Sequence, residues 1–131
     1  MSEYNYRMAV LEDVQEAVEE YMDWNGVTPE DIAENRDYYE EKIYEQLFTD
    51  DSVTGNGSGS YTFSTYQAEQ NLSGNWGLMC EAGREFGMDH IEISDGYKNG
   101  AEYWDVTIRC YLLGECVSEV LDGIEREAED V

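Results

Sequence analysis

Apolar residues recur at helical spacing along most of the chain. Between Met8 and Trp24, Leu11, Val14, Val18, Tyr21 and Met22 fall on one face at three- and four-residue steps, which predicts an amphipathic helix. Asn25-Gly26 supplies its stop, because glycine takes the left-handed conformation that ends a helix without a Cβ penalty. Thr28-Pro29-Glu30-Asp31 reads as the next start, with a hydroxyl cap, a proline at the first helical position and acids in the first turn. This second helix is expected to break near Asn35 and resume, with Tyr38, Tyr39, Ile43, Tyr44, Leu47 and Phe48 as its apolar stripe.

Residues 49–60 are polar and rich in glycine and serine, which predicts a loop. Tyr61-Thr62-Phe63 alternates but is too short for a sheet. A third helix is expected from about Tyr66 to Phe86, on Ala68, Leu72, Trp76, Met79 and Ala82. Gly74, Gly77 and Gly83 weaken it by up to ~1 kcal/mol each, unless they serve close helix packing. Around Ile91 and Ile93 the pattern alternates before Asp95-Gly96, consistent with one tiny hairpin. The last helix, about Ala101 to Glu129, is the most apolar and is expected at the centre of the domain. Together these elements predict a mainly α fold: one domain over residues 1–131, a compact bundle of about four main helices with the Gly/Ser-rich loop ordered against it.

Charge changes the picture. The chain carries 31 Asp plus Glu against seven Lys plus Arg, a formal net charge of −24. Its eleven tyrosines, three tryptophans and three phenylalanines set it apart from acidic disordered chains, which are poor in aromatics. An acidic surface kept for solubility would account for the balance; so would use of the field on a basic partner. The second alternative points to a nucleic-acid-binding protein, a cationic peptide or a metal ion. Direct binding to nucleic acid or to an anionic membrane is disfavoured, since it needs Lys and Arg to displace counterions. Three cysteines without short paired spacing suggest reduced thiols. With no signal-peptide pattern at the first residues and no apolar run of ~18 residues, a soluble cytoplasmic chain is expected.

The acidic faces are the main chemical signal. Glu12, Glu16, Glu19, Glu20 and Asp23 recur at three- and four-residue steps on the first helix. Glu30, Asp31, Glu34, Asp37, Glu40, Glu41 and Glu45 repeat the pattern in the second region. Such like-charge neighbours lie about 5–6 Å apart and cost a few tenths of a kcal/mol per pair. A solvated surface is the ordinary use of a charge run, but solvated helices carry compensating cations that are nearly missing here. Imitation of nucleic-acid phosphates is the sharper alternative. Asp50, Asp51 and Asn56 in the loop join these residues as candidate partner contacts. The loop lacks the lysine of a phosphate cradle and the alternating acids of a calcium loop.

Cys80, His90, Cys110 and Cys116 match no zinc-knuckle spacing, so no metal site and no cofactor are expected. His90 is the lone histidine, and no nucleophile has an evident base, so no catalytic residues are assigned. Trp76, Trp104 and Tyr111 sit at helical spacing and are expected in the core. Arg109, the one basic residue in the most apolar helix, is expected to pair with Asp105 four residues earlier.

The segment from Thr49 to Phe63, followed by Ala68-Glu69, Asn71-Leu72 and Asn75-Trp76, resembles a family of small acidic proteins encoded by phages and mobile elements of Gram-positive gut bacteria. The run Asp105-Val106-Thr107-Ile108-Arg109-Cys110-Tyr111-Leu112-Leu113-Gly114 resembles the same family, whereas Met88 to Asn99 departs from it. The resemblance implies a genetic setting, and with it a bacterial host cytoplasm, but no active site. In class, proteins of that setting and charge resemble anti-CRISPR and anti-restriction inhibitors that imitate DNA. The implied partner is a basic nucleic-acid-binding protein, a Cas effector or restriction enzyme. An acidic regulatory or antitoxin-like binding protein is the alternative. The oligomeric state is left open.

Overall fold

The computed structural model describes residues 3–56, 65–86 and 100–129. Among them are six helices and no strand: α1 (Tyr6–Asn25), α2 (Pro29–Glu34), α3 (Arg36–Phe48), α4 (Thr65–Leu72), α5 (Trp76–Glu85) and α6 (Gly100–Glu129). The fold is mainly α, as the periodicity predicts. The expected hairpin between Met88 and Asn99, the short Tyr61–Phe63 segment and residues 57–60 of the loop lie outside the described residues.

α1 starts two residues earlier than the apolar stripe implies. The Asn5 side chain accepts a hydrogen bond from the Met8 backbone N–H at 3.0 Å, capping the helix, and Tyr6 is already buried. Gly26 ends α1 at φ 63°, in the left-handed region. α2 opens on a capping box: Asp31 N–H donates to Thr28 Oγ1 at 3.1 Å, and Thr28 N–H donates to Asp31 Oδ2 at 2.9 Å. The break at Asn35 falls where the sequence places it. The expected third helix is instead two. Gly74 adopts φ 85°, a conformation that costs other residues strain, and the chain turns there between α4 and α5.

α6 is the hub: each of the other five helices packs on it. Consequently its first half is buried around nearly its whole circumference, from Glu102 and Tyr103 to Leu113. Val10, Val14 and Val18 of α1, Ile43 and Leu47 of α3, and Leu72 of α4 meet Ile108, Leu113, Val117 and Leu121 in one core. Residues 53–56 of the 49–60 loop are buried against that core. Val53 is buried in it, and the Thr54 hydroxyl donates to the Phe48 carbonyl at 3.0 Å. Asn56 Nδ2 donates to the same carbonyl at 3.3 Å. The loop thus satisfies a carbonyl that the end of α3 leaves without an intrahelical partner. No helix among the described residues is long and apolar enough to cross a membrane.

Candidate partner interface

At about 100° per residue, Val10, Val14 and Val18 face inward, while Glu12, Glu16, Glu19, Glu20 and Asp23 occupy the opposite arc of α1. All five acids are exposed. From Glu12 to Asp23 the axis rises about 16 Å, so this face carries roughly one charge per 3–4 Å. One strand of B-DNA carries one per 3.4 Å of axis. The match is in linear charge density along a helix edge.

Among the described residues, the cations that form ion pairs form them away from this face. Arg7 joins α1 to α6 through Glu115 at 3.1 Å and Glu119 at 3.0 Å. Arg36 joins α3 to α6 through Asp122 at 2.8 Å and Glu125 at 3.0 Å, and reaches Glu40 at 2.9 Å. Burial of Arg36 favours its neutral form, but Glu40 and Asp122 outweigh this and hold its pKa above the ordinary value. Lys42 lies 5.8 Å from the centre of the Tyr38 ring. Among the described residues, no ion pair reaches the five acids of α1 or Glu30, Glu34, Asp37 and Glu41.

Other candidate residues already have structural work. Asp31 closes the α2 capping box. Glu40 is tied to Arg36. Asp50 is half-buried and accepts from the Ser52 N–H at 2.9 Å and the Ser52 hydroxyl at 2.6 Å. Asp51 is also half-buried, and Asn56 is fully buried, with its side chain turned to the end of α3. In the free chain Asn56 therefore serves the fold, because its amide sits where a backbone carbonyl needs a donor. The structure gathers the α1 acids on one face. It places Glu30 and Glu34 on α2 and Asp37 and Glu41 beyond the Asn35 break, on α3.

Beneath the surface lies a polar network. Asp105, fully buried, accepts from the Tyr6 hydroxyl at 2.6 Å, Asn71 Nδ2 at 3.3 Å and Arg109 Nε at 3.0 Å. The pairing of Arg109 with Asp105 is the one the sequence predicts. Arg109 also donates to the Tyr4 hydroxyl at 3.0 Å and stands 5.5 Å from the centre of the Tyr6 ring. Burial alone would lower the Arg109 pKa, but the Asp105 carboxylate and Tyr4 more than reverse this, so the guanidinium stays charged. Burial, then the Asp105 charge, push the Tyr6 phenol well above its usual range. Asp13 on the flank of α1 has a raised pKa, chiefly from burial; Arg109 opposes this, and Glu16, Glu12 and Asp50 add to it. Through Asp105 the network ties Tyr6 of α1 and Asn71 of α4 to α6, an internal clamp between the three helices.

Of the thiols, Cys110 and Cys116 are buried and Cys80 is exposed. Burial pushes Cys110 up to about 12 and Cys116 up to about 11. The described residues hold no group of three or more His, Cys, Asp or Glu side chains placed to bind a metal.

A groove of about 650 Å³ runs between α1 and α6. Leu11, Met22, Val27, Val120 and Ile124 form an apolar floor, and Glu19, Asp23, Glu119 and Glu127 line its sides. The sequence pattern assigns Leu11 and Met22 to the core stripe, but they lie at its edge and are only half-buried. The signal for the groove was the width of that stripe, broader than a single line of valines requires, and Val27 standing apolar between Gly26 and Thr28. Trp24, 88% exposed, stands among acids at the end of α1, a setting suited to stacking on a partner cation.

The described residues form a mainly α fold with a polyanionic helical face. No protein-family model, curated protein or solved structure matches this chain.

Proposed function

We propose that the chain is an acidic binding protein that occupies the nucleic-acid site of a basic host-defence nucleoprotein, a Cas effector or a restriction enzyme. The observation that carries the proposal is the α1 face: five exposed carboxylates at the linear charge density of a nucleic-acid strand, without a cation partner among the described residues. The chain has seven Lys and Arg, and among those described Arg7 and Arg36 join helices to α6 rather than neutralise that face. Like-charge repulsion along α1 opposes folding. A merely solvated helix would relieve it with a lysine at a three- or four-residue step. The resemblance to small acidic proteins of phages and mobile elements agrees with such a role. No catalytic step is assigned to any residue.

The proposal is tested by adding the chain to purified Cas effectors and restriction enzymes and measuring their DNA binding. Loss of DNA binding that excess duplex DNA restores is the expected result. Inhibition insensitive to DNA would contradict occupation of the nucleic-acid site. A second function, regulatory or antitoxin-like binding of a small basic protein, is favoured by the apolar floor of the α1–α6 groove, which a phosphate mimic does not need.

A further inference from the structure

We infer that the groove between α1 and α6 binds a short basic amphipathic helix of a partner protein. Its floor is apolar, formed by Leu11, Met22 and Val27 on one side and Val120 and Ile124 on the other. Side chains of this kind hold the apolar face of a helix laid into a groove. From Leu11 to Met22 the groove follows α1 for about 16 Å, and from Glu119 to Glu127 it follows α6 for about 12 Å. That length accepts two to three turns of helix, enough for anchors at positions i, i+4 and i+7.

Charge selects the occupant. Glu19, Asp23 and Glu127 line the sides without ion partners among the described residues, and Glu119 is shared with Arg7. Arg126 reaches toward Gly123 and leaves the carboxylates in excess. A second copy of the chain would bring −24 against −24 and is repelled. Nucleic acid and anionic lipid are repelled for the same reason. A lysine- or arginine-flanked apolar helix satisfies both floor and sides. This inference is separable from phosphate imitation: both would use Glu19 and Asp23, but only the inference needs the groove, and only imitation needs Glu12, Glu16 and Glu20 on the outer arc of α1.

Gly123 makes the test clean. It lines the groove, and a Cβ built there meets nothing nearer than an Arg126 nitrogen at 4.0 Å. Gly123→Leu therefore plugs the groove while replacing a poor helix former with a good one, so the fold is preserved. The probe is a fluorescein-labelled 14-residue helical peptide with leucine at i, i+4, i+7 and i+11 and lysine elsewhere, beside a scrambled peptide of the same composition. Fluorescence anisotropy at about 150 mM salt, where screening acts over about 8 Å, reads the affinities. The patterned peptide is expected to bind at least tenfold more tightly than the scramble. Gly123→Leu should remove that advantage, and Glu12→Gln/Glu16→Gln/Glu20→Gln should leave it within about threefold. Equal binding of the two peptides, or an advantage that survives Gly123→Leu, would overturn the inference. So would sedimentation showing a dimer that Gly123→Leu dissociates, since the groove would then hold a second copy. Loss of the advantage in the Gln variant but not in Gly123→Leu would place binding on the outer arc instead.

Discussion

Arg109 is the residue on which the interior turns. It is buried, and its charge is held by Asp105 below and by the Tyr4 hydroxyl and Tyr6 ring beside it. Removing one partner of a buried pair leaves an uncompensated charge, at a cost of about 3–5 kcal/mol. Arg109→Leu is therefore expected to lower unfolding free energy by about that amount in urea titration. Tyr6→Phe removes one hydrogen bond to the Asp105 carboxylate and should cost about 1.5–3 kcal/mol. Wild-type stability in Arg109→Leu would mean that the network is not a clamp. The thiols give a second residue-scale outcome. Exposed Cys80 should react readily with a thiol reagent in the native protein, whereas Cys110 and Cys116, buried and with raised pKa values, should react only after unfolding. Three fast thiols by mass spectrometry would contradict this burial. At this scale the i, i+4 step from Asp105 to Arg109 was legible in the sequence. Tyr4, Tyr6 and Asn71 were not, because they come from segments distant in the chain and no local spacing links them.

Among the elements, the glycines of α5 separate propensity from packing. Gly77 faces open space, and Gly77→Ala should raise stability by up to about 1 kcal/mol. Gly83 faces the Trp104 ring, and a Cβ there would lie 2.8 Å from a ring carbon. Overpacking costs about 1–3 kcal/mol against a helix gain of about 1 kcal/mol, so Gly83→Ala should be net destabilising by about 1 kcal/mol. Thermal melts of both variants decide it, and equal stabilisation would show that Trp104 moves aside freely. Helix starts and stops with local chemistry, such as Asn25-Gly26 and Thr28-Pro29, were legible because caps act within one turn. The split between α4 and α5 was hidden because the apolar period runs on through Ser73–Asn75 while Gly74 turns the backbone. The loop carried a parallel ambiguity: polar composition suggested a surface contact for Asn56, but its amide is drawn inward by a carbonyl at the end of α3.

For the molecule as a whole, pH dependence follows from the buried groups. The unfolded thiols ionise near pH 9, whereas folded Cys116 and Cys110 hold their protons to about 11 and about 12. Between those limits the folded state binds more protons, so stability is intact below about pH 9 and falls as pH rises further. Asp13 has the same sign in the carboxylate range. Its raised pKa means that acidification below neutrality favours the folded chain at this site, and its contribution is lost again as pH rises. Melting temperature across pH should therefore hold or rise on mild acidification and drop above about pH 9. A maximum above pH 9 would contradict the burial of both thiols.

The whole-molecule charge bears most directly on function, and the outer arc of α1 is where it can be measured. Glu12→Gln/Glu16→Gln/Glu20→Gln removes three charges opposite the core and spares Glu19 and Asp23 beside the groove. Helix propensity is nearly unchanged, so thermal melting should show the fold intact or slightly stabilised. Association with a basic nucleic-acid-binding target, followed by stopped flow at about 50 and about 200 mM salt, is the decisive measurement. If α1 imitates phosphates, the wild-type rate is steered by charge. It should exceed that of the variant about tenfold at low salt, with the gap closing at high salt. Equal association rates at both salts, with both proteins folded, would contradict phosphate imitation by α1.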